Sequence, residues 1–254
     1  MSEDEAFIRA VVDSPGDDTP RLVYADWLDD RADPRGPYLR AEREAIGTGS
    51  IARLHELAAG LDPVWVARVS MPPVGVCCNK LTWLRRGETI TGTDLDRFET
   101  RFGVRLPVQY RAFLMNYNGG AVELDPWETP NGGAYRDSCE FYSLARTSRN
   151  DPPFSLEYEF AVRGRSMFQG TPREDDNYQV RLRNSLSIGT TPGNLAWMLL
   201  GIGQANAGGV RSLSMPLTPA QATRRATKSL SFRSLTEYLS YLRKYRVSGL
   251  GVTT

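Results

Sequence analysis

The chain has 254 residues, of which 41% are hydrophobic, 10% aromatic and 24% charged. This composition excludes global disorder, because it supplies enough apolar surface to offset the entropy that folding removes. No apolar run approaches the roughly 20 residues that cross a bilayer, and the first residues are acidic where a secretory signal is basic. We therefore expect a cytoplasmic protein that does not enter the membrane.

Charge divides unevenly along the chain, although the formal net charge is only +1. Residues 1–60 carry 7 basic and 13 acidic side chains, whereas residues 61–254 carry 24 and 17. A chain of this length accommodates two domains of ordinary size. We predict a helical domain over residues 1–70, a linker and lead-in over 71–84 and a larger domain over 85–246.

Apolar residues recur at helical spacing throughout the first domain. Acidic residues and a proline mark the start of its second helix, because both suit the amino end of a helix. Helices are predicted over residues 4–12, 17–30 and 38–46, after Ser50 and from Pro63. The segment from Pro20 to Leu28, PRLVYADWL, together with DPRG from Asp33, resembles the bacterial repeat-companion domain. That resemblance implies a helical accessory module without chemistry of its own.

The second domain opens with two predicted helices. The first begins near Thr91, in a capping pattern where Asp96 replaces the usual Glu or Gln, and it stops at Gly103. The second starts with a proline at its first position, Pro107, and ends at Asn118, which is followed by two glycines.

After these helices the apolar period changes to that of strands. Strands are predicted over residues 121–124, 140–144, 179–182, 186–188, 195–200 and 210–213, with 80–85 as a short strand or lead-in. No helix intervenes between them, which favours an antiparallel sheet. A capping box, Ser234 to Glu237, starts the last helix. The predicted fold class is α+β: a small N-terminal helical bundle followed by an antiparallel sheet flanked by helices.

Residues 85–245 resemble the SUKH superfamily, the Smi/Knr-type domain of many bacterial immunity proteins and of fungal cell-wall regulators. The matching residues include Leu95, Phe98-Glu99, Phe102-Gly103, Leu106-Pro107, Tyr110, Phe113-Leu114, Asn118-Gly119-Gly120, Phe141 to Leu144, Ile188-Gly189, Gly193-Asn194, Gly209-Val210, Ser231-Phe232 and Tyr238-Leu239. The resemblance implies a bacterial protein-binding domain. Two departures are long segments at 125–139 and 145–178, and a third is Thr190-Thr191-Pro192, which stands where acidic residues are usual.

Catalytic motifs are absent from the sequence. His55 is the only histidine, and the chain has no CxxC pair, no GxxxxGK[ST] phosphate loop and no GxSxG elbow. The sequence therefore predicts a non-enzymatic protein that holds no metal and no cofactor.

Candidate binding residues fall on connections between the predicted strands, because loops on a rigid scaffold commonly carry recognition. Trp127, Asn131, Tyr135 and Asp137 share a loop rich in aromatic residues and glycine, and Asn194 lies on a later turn. Asn118, after the second helix, is predicted to bind a partner or, alternatively, to cap the helix.

Two functions follow from these observations. The first is binding of another protein, either to neutralise a toxin, as immunity proteins do, or as a related adaptor. The alternative is a nucleic-acid-binding or regulatory adaptor, favoured by the basic excess in residues 151–254 and by the run Arg224-Arg225-Ala226-Thr227-Lys228. The oligomeric state stays open.

Overall fold

The structure is a computed structural model that describes residues 2–48, 52–77, 81–123, 127–128, 134–135, 138–145, 155–163, 185–191, 196–214 and 230–244. Its helices are α1 (Glu3–Asp13), α2 (Asp18–Asp29), α3 (Arg35–Thr48), α4 (Ala52–Ala58), α5 (Pro63–Val69), α6 (Gly92–Phe102), α7 (Val108–Tyr117), α8 (Leu156–Tyr158, continued by a π-helix over Glu159–Arg163) and α9 (Leu235–Lys244). Its strands are β1 (Thr82–Arg86), β2 (Gly120–Glu123), β3 (Trp127–Glu128), β4 (Ala134–Tyr135), β5 (Ser138–Phe141), β6 (Ser185–Thr190), β7 (Ala196–Gly201), β8 (Val210–Ser214) and β9 (Ser231–Phe232).

Helices α1, α2, α3 and α5 begin where side chains satisfy main-chain N–H groups. Asp17 accepts from the amide of Thr19 at 2.9 Å, as the acidic start of α2 predicted. Asp33 accepts from the amide of Arg35 at 3.0 Å. That contact starts α3 three residues before the predicted position.

Helices α2 and α3 approach each other closely. A Cβ atom on Gly36 would lie 2.0 Å from a carboxylate oxygen of Asp29 and 3.1 Å from the carbonyl oxygen of Ala25, so a side chain there would require the Asp29 carboxylate to move. Arg21 and Glu42 form a buried ion pair across the same contact, and Arg21 also donates to the carbonyl of Val69 at 2.7 Å. The motif residues Arg21 and Tyr24 thus serve packing within the helical module, α1–α5.

Seven strands form one sheet in the order β1-β2-β5-β6-β7-β8-β9, and every pair of neighbours is antiparallel. The predicted α+β class is therefore confirmed. Helix α7 supplies the apolar side chains that pack on this sheet. Phe113 lies 4.8 Å from Phe141 of β5, and Trp83 of β1 stacks on Tyr117 at 4.7 Å between ring centroids.

Several local predictions need correction. The cap of α6 is Thr91, with Asp94 as the acid of the capping box, and not Thr93 with Asp96. Asp94 accepts from the amide of Thr91 at 2.8 Å, and Thr91 Oγ1 accepts from the amide of Asp94. Asp96 pairs with Arg111 instead, at 2.8 Å. Pro107 is the N-cap of α7 and not its first residue. The hairpin β3–β4 and the helical segment 156–163 were not predicted, and the predicted strand 179–182 lies outside the described residues.

The helical module packs directly against the sheet domain through α5 and α7. Arg68 on α5 is buried and donates to Asn116 Oδ1 at 3.0 Å, while Asn116 returns a bond to the carbonyl of Arg68 at 2.8 Å. Two further bonds from Arg68, at 2.7 and 2.8 Å, reach Glu5 on α1. One contiguous apolar core results, in which residues of both regions take part. The domain boundaries near 70 and 85 stay a prediction.

Candidate partner-binding surface

The strand register brings two connections to the same end of the sheet. Connection 124–137 joins β2 to β5, and connection 192–195 joins β6 to β7. Thr190, the last residue of β6, pairs with both Glu140, the third residue of β5, and Trp197, the second residue of β7, and both pairings are antiparallel. Both connections therefore leave the sheet at the same end of its strands, which we call the loop end. The opposite end of the strands is called the turn end.

Two of the predicted binding residues are neighbours at the loop end. Trp127 on β3 and Tyr135 on β4 face each other in the antiparallel register of the hairpin. Asn131, Asp137 and Asn194 lie outside the described residues, but they belong to connections that meet at this end. The sequence predicted that these five residues and Asn118 lie at one side of the sheet, and the strand register is compatible with that grouping for the two connections that carry the five.

Asn118 lies at the turn end, before the first residue of β2. Its backbone is left-handed, with φ of 46°, and its side chain is 2% exposed. The amide nitrogen donates to the carbonyl of Glu88 at 2.7 Å, and Oδ1 accepts from the amide of Leu144 at 2.9 Å. The structure thus places Asn118 at the end opposite to the loop end, and its side chain is occupied by contacts inside the fold.

The two glycines after Asn118 permit this arrangement. Gly119 has φ of 73°, and a Cβ there would lie 2.5 Å from the carbonyl carbon of Tyr142. Gly120 has φ of 121°, and its Cβ would lie 2.1 Å from the carbonyl oxygen of Arg85. Side chains at either position would force the backbones apart. The Asn-Gly-Gly sequence therefore allows close backbone contact between the end of α7, strand β1 and the segment after β5.

Thr191 holds the base of connection 192–195 and was not recognised from the sequence. Its amide donates to the carbonyl of Ala196 at 2.8 Å, and its Oγ1 accepts from the amide of Ala196 at 3.0 Å. Thr191 is one of the residues that replace the acidic residues usual in the superfamily. Its position directly before Pro192-Gly193 was a turn signal that could have indicated this role.

Two ion pairs link strand β1 to its surroundings. Glu140 forms an ion pair with Arg85 of β1, which reaches over the intervening strand β2. Arg86 pairs with Asp13 of α1 at 2.6 Å, so β1 also links the sheet to the helical module. These pairs fix the edge strand β1 relative to both of its neighbours.

The described residues include neither a metal-binding cluster nor a membrane-spanning helix. Across the ranges given above, no three or more His, Cys, Asp and Glu side chains are grouped so as to hold a metal ion. In those same ranges, every helix is too short or too polar to cross a membrane.

The antiparallel sheet, with α7 and α9 packed beside it and connections 124–137 and 192–195 at one end, defines an α+β protein. Residues 89–240 match the SMI1 / KNR4 family (SUKH-1). The chain belongs to this family. No curated protein matches the chain.

Proposed function

We propose that this protein is a non-enzymatic binding module that captures another protein through the loop end, either to neutralise a toxin or as a related adaptor. Membership of the SMI1 / KNR4 family supports a protein-binding role. The observation that carries the proposal is the strand register, which brings connections 124–137 and 192–195 to the loop end of the sheet.

The scaffold below the loop end suits this role. Loops recognise partners best when the elements that carry them do not move, because less entropy is then lost on binding. Both strands that flank connection 124–137 are paired on each side within the seven-stranded sheet. Thr191 closes the base of the second connection. The strand ends that carry the two loops are therefore held at a fixed spacing.

Within this surface, Trp127 and Tyr135 are the proposed anchors. Aromatic side chains bury much area for few lost rotamers and dominate the energetics of many interfaces. The two residues face each other across the β3–β4 hairpin, so one partner surface can contact both. Asn131, Asp137 and Asn194 supply polar groups around them.

The test is co-expression with the products of neighbouring genes, followed by co-purification. We expect one of those products to be retained by the wild-type chain, and retention to fall at least about tenfold for Trp127→Ala combined with Tyr135→Ala. Arg53→Ala is the matched control, because this exposed residue of α4 belongs to the helical module. Failure of every neighbouring product to bind, or equal retention by all three chains, would contradict the proposal.

A further inference from the structure

A polar cleft at the turn end is separate from the loop surface. It encloses about 360 Å³ between the β7–β8 turn and strand β9. Gln204, Asn206, Arg211 and Arg233 are among the residues that line it. We propose that this cleft binds an extended, acidic protein segment, one of whose carboxylates pairs with Arg233. This site goes beyond the proposed function and does not depend on it.

The wall of the cleft is a turn with a well-defined shape. Gly201 donates to the carbonyl of Gly209 at 2.8 Å, and Gly208 donates to the carbonyl of Gly201 at 2.9 Å. Asn206 Oδ1 accepts from the amide of Gly203 at 3.0 Å. A Cβ on Gly201 would lie 1.8 Å from the carbonyl oxygen of Asn206, so glycine is required there. The cleft is therefore formed before any ligand arrives.

Two arginines line the cleft. Arg211 extends from β8 across β7 and donates to Ser185 Oγ on β6 at 3.0 Å, which orients its side chain. Arg233 is exposed, and its main-chain N–H donates to Glu237 at 2.7 Å. Among the described residues, no carboxylate forms an ion pair with the Arg233 guanidinium. A planar guanidinium in this position suits a carboxylate, which it can bind with two parallel hydrogen bonds.

Strand β9 indicates the conformation of the bound segment. It ends the sheet, and β8 is its one strand neighbour within the described part of the chain. An extended peptide can add to such an edge through main-chain hydrogen bonds while its side chains enter adjacent pockets. The side-chain amide of Gln204 can both donate and accept, which matches peptide groups.

A nucleic acid fits the same cleft less well. Single-stranded nucleic acids are bound by aromatic platforms together with a basic track along the backbone. Phe232 is the aromatic residue that lines the cleft, and its ring packs on Tyr238 and Tyr241 at 5.1 and 5.0 Å between centroids. That ring is engaged inside the fold, so the cleft offers carboxylate recognition without base stacking.

The experiment measures fluorescence anisotropy of the full chain with a labelled peptide of alternating Glu and Val. A Lys and Val peptide and an oligothymidine strand serve as comparison probes. The variants are Arg233→Glu and Arg53→Glu, which change the net charge equally. Arg53 is 70% exposed on α4 of the helical module, so it controls for general electrostatic attraction.

We expect the acidic peptide to bind the wild type and Arg53→Glu alike, and Arg233→Glu to bind it about tenfold more weakly or worse. Thermal melting confirms that both variants are folded. No binding of the acidic peptide at low salt, or equal weakening by both variants, would overturn the proposal. Tighter binding of oligothymidine with the same dependence on Arg233 would also overturn it, in favour of a nucleic-acid site. A partner found by co-purification leaves these outcomes unchanged.

Discussion

The helical module and the sheet domain orient their elements by different contacts. The helical module encloses the ion pair of Arg21 with Glu42, both side chains being 3% exposed. Rings pack in both regions, as between Tyr24 and Trp65 in the helical module and between Phe113 and Phe141 in the sheet domain. Short helices can slide or rotate on an apolar contact, whereas strands are already aligned by their hydrogen bonds. Directional polar contacts therefore orient the helices, and the hydrogen-bond register of the strands orients the sheet.

The same difference explains how the two regions join. Their contact is polar on the helical side, where Arg68 bonds to Asn116, and Arg9 donates to the carbonyls of Met115 and Asn116 at 2.8 and 3.1 Å. These bonds reach the last turn of α7, just before Asn118. The helical module therefore braces the turn end and leaves the loop end to the connections of the sheet.

The largest expected effect comes from breaking the buried pair of the helical module. Glu42→Ala leaves the Arg21 guanidinium buried without its carboxylate, and we expect a loss of about 3 kcal/mol in the free energy of unfolding. Urea denaturation measures this loss. Arg40→Ala, which breaks exposed pairs with Asp26 and Asp29, is the control and should cost about 0.5 kcal/mol.

A smaller effect is expected from the side chain that closes the turn end. Asn118→Gly keeps the left-handed backbone but leaves the carbonyl of Glu88 and the amide of Leu144 without their side-chain partner. We expect a loss of about 2 kcal/mol in the free energy of unfolding. Asn118→Ala should lose about 1 kcal/mol more, because alanine is strained at positive φ. Equal stability of both variants and the wild type would show that these contacts contribute little.

The smallest effect is a pH dependence at the junction. Burial alone would raise the pKa of Glu5, but the hydrogen bond and charge of Arg68, with Arg9, hold that pKa below its ordinary value of 4.5. A lowered pKa stabilises the fold above pH 4.5, and this stabilisation is lost as the pH falls through the folded value. Glu5 is half-buried, so we expect less than about 1 kcal/mol.

The pH effect is isolated by comparing the wild type with Glu5→Gln. Other carboxyl groups, including Glu42, whose pKa burial raises against the charge of Arg21, contribute to both chains. The stability advantage of the wild type should shrink between pH 5 and about pH 3. A constant difference over that range would contradict the assigned role of Glu5.

Local chemistry made much of the fold predictable from the sequence. Asp17 and Ser234 cap helices where the pattern placed them, since capping depends on neighbouring residues only. The cap of α6 was misplaced because Thr91 and Thr93 offer competing starts two residues apart, and the acid three residues after each is Asp94 or Asp96. Tertiary contacts decided for Thr91, since Asp96 pairs with Arg111 of α7.

The candidate site depended on long-range pairing that no local pattern contains. The sequence grouped Trp127 and Tyr135 by their loop, but that 124–137 and 192–195 share one end follows from the register of β5 with β6. The buried role of Asn118 depends on Leu144, 26 residues away. Arg211 and Arg233 carry no sequence motif, and the pairing of β8 with β9 brings them to one cleft.

Hydrogen exchange of the full chain, with and without a co-purified partner protein, tests the central claim most directly. In the proposed complex, the partner binds at the loop end to the two connections that the sheet carries. We predict that partner binding slows exchange at 124–137 and 192–195, while the exposed face of α2 exchanges unchanged. Slowed exchange confined to the helical module, with both connections unaffected, would contradict the account.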